Sequence, residues 1–369
     1  MSKLKIILLL IIVLGGLPAF SVRGEWPAKK NDTRYSQALY WEKLKDSLVQ
    51  CRLCPRLCVL KPGEKGFCKA RKNIKGKLFT LTYGYPVALH PDPIEKKPLF
   101  HVYPGSDSYS IATAGCNLRC KFCQNWEISQ VDAEKINPDF KKASEIVRRA
   151  KTSGCKTIAF TYTEPTIFYE YMLEISKIAA NEDMPCVMHS AGYINEKPLR
   201  RIAQYIKAAN IDLKGFNDKF YSSYCNGDLS TVLRTLKILK EEGVWIEITN
   251  LIIPGANDDE EELKKMCNWI KENLGAEVPL HFSRFFPMHR LINLSPTPVS
   301  TLLKAKKIAR DCGLKFVYVG NVPRNIHEST YCPNCNKLLI KRVGYSIIEN
   351  NIENGRCPRC GENIPGLWQ

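Results

Sequence analysis

The stretch TAGCNLRCKFCQNW, residues 113–126, places cysteines at 116, 120 and 123. A structural zinc site takes four ligands and disulfides take thiols in pairs, so a C-x3-C-x2-C run of three is incomplete on either account. What surrounds the run decides the fold. An apolar, β-branched run at 109–113 leads into it, and further such runs follow at 156–162, 185–189, 209–213, 244–253, 279–285 and 316–319. Amphipathic stretches of helical length lie between most of them. In FKKASEIVRRAKTSG, Ala143, Ile146, Val147 and Ala150 repeat at helical spacing and Gly154 marks the stop. DDEEELKKMCNWIKENLG carries acids in its first turn and ends at Gly275.

Strand–helix alternation repeated in this way means a parallel sheet with crossover helices, and near-continuous apolar strands mean a sheet covered on both faces. Residues 109–325 are too few for eight full units, since a closed barrel takes roughly 250 residues. The expected class is therefore α/β, a partial (βα)6 TIM-like barrel. The cysteine run then lies on the loop after the first strand, at the edge where such folds keep their chemistry. Four segments follow: a hydrophobic leader at 1–24, a basic cysteine-rich N-terminal domain at 25–107, the partial barrel at 108–325 and a cysteine-paired tail at 326–369.

Of 16 cysteines, 11 fall into three compact groups. Cys51, Cys54, Cys58 and Cys68 are spaced x2, x3, x9 and suit either a tetrahedral zinc or an auxiliary iron–sulfur cluster. Cys332, Cys335, Cys357 and Cys360 form two C-P-x-C knuckles, a zinc-ribbon arrangement whose job is to fold a tail too small for its own core. Cys155, Cys186, Cys225, Cys267 and Cys312 are scattered among apolar segments and read as small buried hydrophobes. Metal-type groups imply a reducing compartment. The N-terminus points elsewhere: Lys3 and Lys5 precede an apolar run, with small residues near Ala19 and Ser21, as in a secretory signal or short anchor. The run is short for a span of about 20 residues, and a misassigned start is a third reading. The cytoplasm is the expected place for the chemistry, with the leader as a route to membrane association. Net charge is +17, and residues 27–102 hold 16 Lys/Arg against 6 Asp/Glu. That balance suits an anionic partner or a solvated basic face.

Three thiolates within one short loop cap three irons of a [4Fe–4S] cube and leave the fourth iron open; zinc with an external fourth ligand is the competing reading. With Phe122 before the last cysteine, the loop resembles that of the radical S-adenosylmethionine (SAM) superfamily. More closely, GCNLRCKFCQNW, the upstream EKKPLFHVYPGS and the tail CPNC…CPRCGENIPGLW resemble the radical SAM member of the AmmeMemoRadiSam system, a relative of pyruvate formate-lyase activating enzymes. The resemblance runs from about Tyr35 to the end of the chain and leaves out the leader.

That resemblance implies roles position by position. Cys116, Cys120 and Cys123 would ligate a [4Fe–4S] cluster whose open iron is chelated by SAM. Glu164, in FTYTEPT, would accept from the SAM amino group; Tyr162 and Thr163 stand where the superfamily has two glycines. A carboxylate before Pro165 is equally a helix N-terminal acid. In HSAGYIN, Ser190 offers a hydroxyl, whereas Ala191 departs from the polar pattern. In NIDLKGFND, Asp212 and Lys214 share one side of a strand and line the SAM and substrate site, or form a plain salt-bridged strand end. Asn250 and Ile253 are expected near ribose and adenine. His281, Arg284 and Asn321 are expected to face the mouth, with a core role favoured for His281. The implied reaction is reductive cleavage of SAM and hydrogen abstraction by a 5′-deoxyadenosyl radical. A flavodoxin or ferredoxin would donate electrons, and a protein substrate follows by analogy. Competing readings are an RNA-modifying radical SAM enzyme, for which no RNA-binding motif is found, and a non-catalytic iron–sulfur and zinc module.

Overall fold

The computed structural model describes residues 35–323 and 326–368, so the apolar leader at 1–24 lies outside the described residues. Within them, no helix is long and apolar enough to cross a membrane.

An eight-stranded sheet carries the fold. Its strands are β1 (Pro86–Pro93), β2 (Asp107–Thr113), β3 (Thr157–Phe160), β4 (Cys186–Ser190), β5 (Ile206–Asp212), β6 (Trp245–Ile252), β7 (Leu280–Arg284) and β8 (Val317–Gly320), neighbours in space as in sequence. From β2 to β8 every pairing is parallel. The main crossover helices are α1 (Ala143–Thr152), α2 (Tyr169–Ala180), α3 (Glu196–Ala203), α4 (Leu229–Glu241), α5 (Glu260–Asn273) and α6 (Val299–Asp311). Six βα units and a closing strand make the partial barrel that the strand spacing predicts.

Local chemistry explains the units. Ile158, Ala159 and Phe160 of β3 are fully buried, as a strand covered on both faces requires. In α1 the buried residues are Ala143, Ile146, Val147 and Ala150, the four positions marked by the periodicity. In α5, Asp259 caps the helix by accepting from the Glu262 amide at 2.9 Å, and Glu260 to Glu262 meet the positive end of the helix. The edge strand β1 was not separated from the N-terminal segment by sequence reading. It pairs antiparallel with β2, Ala88 opposite Ala112 and Pro93 opposite Asp107. Its prolines hide it from a propensity reading, and an edge strand is where proline's missing donor is tolerated.

The N-terminal segment folds as two small antiparallel sheets, one of Trp41–Lys43, Val49–Cys51 and Val59–Leu60, the other of Ser36–Gln37, Lys77–Thr80 and Arg71–Ile74. Val49, Leu53, Leu60 and Leu78 join the core of the barrel. Part of the basic excess is internal. Arg71 is buried and ion-paired with Glu170 of α2, Lys97 meets Asp92 at 2.9 Å, and Lys65 and Lys72 meet Glu134 at 2.7 and 2.9 Å.

The tail forms a small sheet of β9 (Thr330–Tyr331), β10 (Leu338–Val343) and β11 (Ser346–Asn350). It shares a second apolar cluster with Phe100, Phe316 and Tyr318. Arg342, wholly buried, donates to the Phe100 carbonyl and to Thr330 Oγ1, both at 2.7 Å. Val102 bridges to Leu367. The tail is thus docked on the flank of the barrel through residues 100–102.

Candidate functional site

The loop after β2 is shaped by partners far away in sequence. Gly115 has φ +102°, and a Cβ there would lie 2.5 Å from the Cys68 carbonyl oxygen, so only glycine fits. The Gly115 amide donates to Ile128 O at 2.9 Å, Arg119 N to Cys225 O at 2.8 Å, and Lys121 N to Tyr224 O at 2.9 Å. The Arg119 side chain reaches the carbonyls of Cys116 and Leu118, each at 2.7 Å. Held this way, Cys116, Cys120 and Cys123 line one cavity of about 400 Å³ together with Glu164, Asp212 and Lys214.

Burial pushes the Cys116 thiol well above its usual range, and the charges of Glu164 and Cys120 add to it. For Cys120 the first cause is a hydrogen bond with Cys225, followed by burial. Cys123 is likewise raised by burial, although Ser129 Oγ lies 3.2 Å from its sulfur. A soft cation or cluster arriving here displaces protons and turns these thiols into thiolates. Among the described residues, the only group of three or more candidate ligand atoms within 4.8 Å of one another is the tail quartet. The loop trio is spread more widely than that around a shared cavity. An all-cysteine donor set with this spread fits a polynuclear cluster better than one ion, and Arg119 and Lys214 place positive charge beside it.

Glu164 caps the turn Pro165–Phe168, as the helix-terminal reading expects. Its Oε1 accepts from the Thr166 amide at 3.1 Å and from the hydroxyls of Thr166 and Ser190 at 2.7 Å; Oε2 accepts from the Ala191 amide at 2.8 Å. A carboxylate offers about four acceptor positions, so Oε2 is the oxygen with capacity left for an amine in the cavity. Tyr162 takes a left-handed backbone, φ +63°, where the resemblance expects glycine. The strained turn is tied down: the Tyr162 hydroxyl donates to Asp92 and lies 3.0 Å from His90 Nε2, and its carbonyl accepts from Asn125 Nδ2 at 2.8 Å.

Asp212 and Lys214 line the cavity and pair at 2.6 Å. Asp212 Oδ1 also lies 2.9 Å from His189 Nε2, which makes a three-membered chain. Burial alone would raise the Asp212 carboxyl, yet Lys214 and His189 hold it far below the usual carboxylate range. Phe122 is buried on the same wall, its ring 5.8 Å from Lys214 Nζ.

Four expected contacts, Ser190, Asn250, Ile253 and Arg284, lie off the wall. Ser190 is turned behind Glu164, donating to it and accepting from Gly192 N at 2.9 Å. Asn250 donates to Leu213 O at 2.7 Å and Ile253 is wholly buried. For Asn250 the physical reason is the strand period of two: Thr249 and Leu251 line the cavity, so Asn250 between them points away. Arg284 is engaged with Thr297 O at 2.8 Å, whereas Asn321 lines the cavity. His281 touches the cavity and is fixed by Glu247 at 2.7 Å.

Sequence reading missed several neighbours. His189 lies one strand over, opposite Asn210, and its Nε2 reaches diagonally to Asp212. Cys225 was read as a buried hydrophobe; Cys155, Cys186 and Cys267 are buried, but Cys225 meets Cys120. Glu328, Gly344 and Tyr345 bring the tail to the cavity wall, and no spacing signals that.

In the tail, Cys332 and Cys360 sulfurs lie 3.6 Å apart, as do those of Cys335 and Cys357. All four lie within 4.8 Å of one another and could hold one metal ion.

Residues 110–269 match the sequence profile of the Radical SAM superfamily. An uncharacterized protein of Methanocaldococcus jannaschii is 46% identical over 330 residues, covering 89% of this chain and 98% of its own length. A pyruvate formate-lyase-activating enzyme of Clostridium pasteurianum is 24% identical over 177 residues, 45% of this chain and 72% of that protein. A probable GTP 3′,8-cyclase of Pyrococcus abyssi is 25% identical over 256 residues, 63% of this chain and 80% of its own.

Proposed function

The chain belongs to the radical SAM superfamily, and from that premise we propose that Cys116, Cys120 and Cys123 hold a [4Fe–4S] cluster whose open iron takes SAM. When bound, the pair supplies one-electron reductive cleavage of SAM and a 5′-deoxyadenosyl radical that removes a hydrogen atom from substrate. The protein's own part is to hold and shield. Glu164 Oε2 receives the amine, Phe122 and Leu118 keep water off the sulfurs, and the His189–Asp212–Lys214 chain fixes polar groups on the opposite wall. The observation that carries the reading is three thiols on one cavity wall, facing a buried carboxylate, with a spread wider than one ion needs.

The tail quartet is proposed to hold zinc, closed and structural. A protein substrate is supported by the activating-enzyme relative, and the order of the outer motifs supports membership of the AmmeMemoRadiSam system. A reduced flavodoxin or ferredoxin would dock on the exposed part of the basic N-terminal segment. The test is anaerobic reconstitution with iron and sulfide, then dithionite and SAM, with chromatography for 5′-deoxyadenosine. The parent chain is expected to form it and Cys123→Ala to form none. An intact cluster that yields no 5′-deoxyadenosine sinks the proposal.

A further inference from the structure

Cys51, Cys54, Cys58 and Cys68 surround a void rather than a point. Cys51 ends the strand Val49–Cys51, Cys54 and Cys58 lie on the connection to Val59–Leu60, and Cys68 precedes Arg71–Ile74. The void between them measures about 20 Å³, on a scale where one water needs roughly 10–15 Å³. Two thiolates on one zinc lie no more than about 4.6 Å apart, twice the roughly 2.3 Å Zn–S bond. No three of these four sulfurs lie within 4.8 Å of one another, whereas all four tail sulfurs do. In this respect the N-terminal quartet behaves like the loop trio.

The wall of the void carries a buried cationic donor. Arg71 is 2% exposed; it is ion-paired with Glu170, donates to Leu39 O at 2.8 Å, and its Nη1 lies 3.7 Å from Cys51 Sγ. Its Nε is buried without a partner among the described residues. A closed zinc tetrathiolate has only its four sulfurs to accept such a donor. A cubane adds inorganic sulfides, and hydrogen bonds to cluster sulfur are a normal means of tuning it. The guanidinium also offsets the charge of four thiolates in a dry site.

We propose that Cys51, Cys54, Cys58 and Cys68 hold a second polynuclear iron–sulfur cluster, of the [4Fe–4S] class, and not a zinc ion. It abuts the barrel loop: the Cys68 carbonyl packs on Gly115, and Asn117, next to Cys116, lines the void. The proposal stands on its own sulfur geometry and does not depend on the reading of the barrel loop.

The experiment is metal and sulfide analysis with Mössbauer spectroscopy on the full chain, reconstituted anaerobically with iron, sulfide and zinc all available. The parent is expected to carry about eight irons and one zinc, and the triple variant Cys116→Ala, Cys120→Ala, Cys123→Ala about four irons and one zinc. Adding Cys54→Ser and Cys68→Ser to the triple variant should remove the remaining iron and leave the zinc. A parent with about four irons and two zincs, all of its iron lost in the triple variant, overturns the proposal. If instead the barrel-loop reading fails, the triple variant keeps all the iron of the parent, so the two failures are distinct. Arg71→Lys, which keeps the charge, should retain the iron and shift the cluster's midpoint potential; no shift removes the donor argument.

Discussion

The tail quartet and the barrel-loop trio are both cysteine sites, but they are built over different distances. Each tail knuckle is made from its own few residues. Cys332 N donates to Lys337 O and Asn336 N to Cys332 O; Cys357 N donates to Glu362 O and Gly361 N to Cys357 O. Asn336 and Gly361 occupy the same place in the two turns, both with positive φ (57° and 74°), where asparagine and glycine are tolerated. Burial opposes ionisation of Cys357, but amides of Arg359 and Cys360 bring its thiol down to about 7. The loop trio has some local bonds, such as Cys123 N to Cys120 O at 3.2 Å, but its frame is mostly distant. Gly115, Arg119 and Lys121 are bonded to residues 128, 225 and 224, and the opposite wall is Glu164 and Lys214. A closed metal site organises the chain around it, whereas an open one is organised by a fold that exists already.

The largest expected effect follows from that contrast. Replacing Cys332 and Cys357 by serine should release the tail metal and unfold residues 330–368, because binding free energy in small zinc modules reaches about 10–16 kcal/mol and is folding free energy. Hydrogen exchange should show lost protection in β9 to β11 with the barrel strands unchanged. Replacing Cys116 and Cys120 by alanine should remove the loop metal while the barrel's melting transition stays in place, its core being apolar side chains such as Ile158, Phe160 and Ile248. A loop variant that unfolds the barrel, or a tail variant that leaves β9 to β11 protected, breaks the comparison.

A smaller effect tests how the trio is placed. Gly115→Ala adds a Cβ 2.5 Å from the Cys68 carbonyl at a left-handed position, which costs about 2–4 kcal/mol. Denaturant unfolding should register that loss, with iron content of the loop falling and tail metal unchanged. Smaller again is Asp212→Asn. Removing the charge that holds Lys214 and His189 costs about 1.5–3 kcal/mol of local interaction. The 5′-deoxyadenosine yield should fall while the global melting temperature moves little; an unchanged yield would confine Asp212 to a strand-end salt bridge.

These effects track what could be read from sequence. The parallel barrel was legible because its strands are buried on both faces and its helices carry a 3.6-residue period, as α1 and α5 show. The tail quartet was legible because its turns are local. Asn250 lies off the wall because a loop motif does not say which strand residue is in phase with the mouth, and a slip of one residue reverses the face; Ile253 lies past the end of β6 and is wholly buried. Ser190 was placed at the right level, but its hydroxyl is spent on Glu164. His189, Cys225 and Tyr345 reach the site only through strand pairing, a π-turn and the docking of the tail, none of which leaves a spacing in the chain.

The subtlest test concerns how the two regions are joined. His101 is buried between barrel and tail. Its Nδ1 faces the Pro365 carbonyl at 2.7 Å and so carries the proton; its Nε2 then accepts from the Tyr318 hydroxyl at 2.7 Å. Burial pushes its pKa down to about 4 from an ordinary 6.5; Glu247 opposes the shift, and Arg342 and His281 reinforce it. With a depressed folded value for a base, the undocked state binds the extra proton first. Docking stability is therefore complete above about pH 6.5 and is lost as pH falls towards 4, reaching about 2 kcal/mol at pH 5. Trp368 lies 5.2 Å from the His101 ring, so the part of the fluorescence that is lost in Trp368→Phe, among six tryptophans, reports the joint. Acidification from pH 7.5 to 5 should loosen the tail in the parent, with a shallower slope in His101→Gln. Metal release from the knuckles contributes equally to both chains, so the difference between the slopes belongs to His101. Identical slopes would mean that the barrel and tail meet through an interface indifferent to this proton.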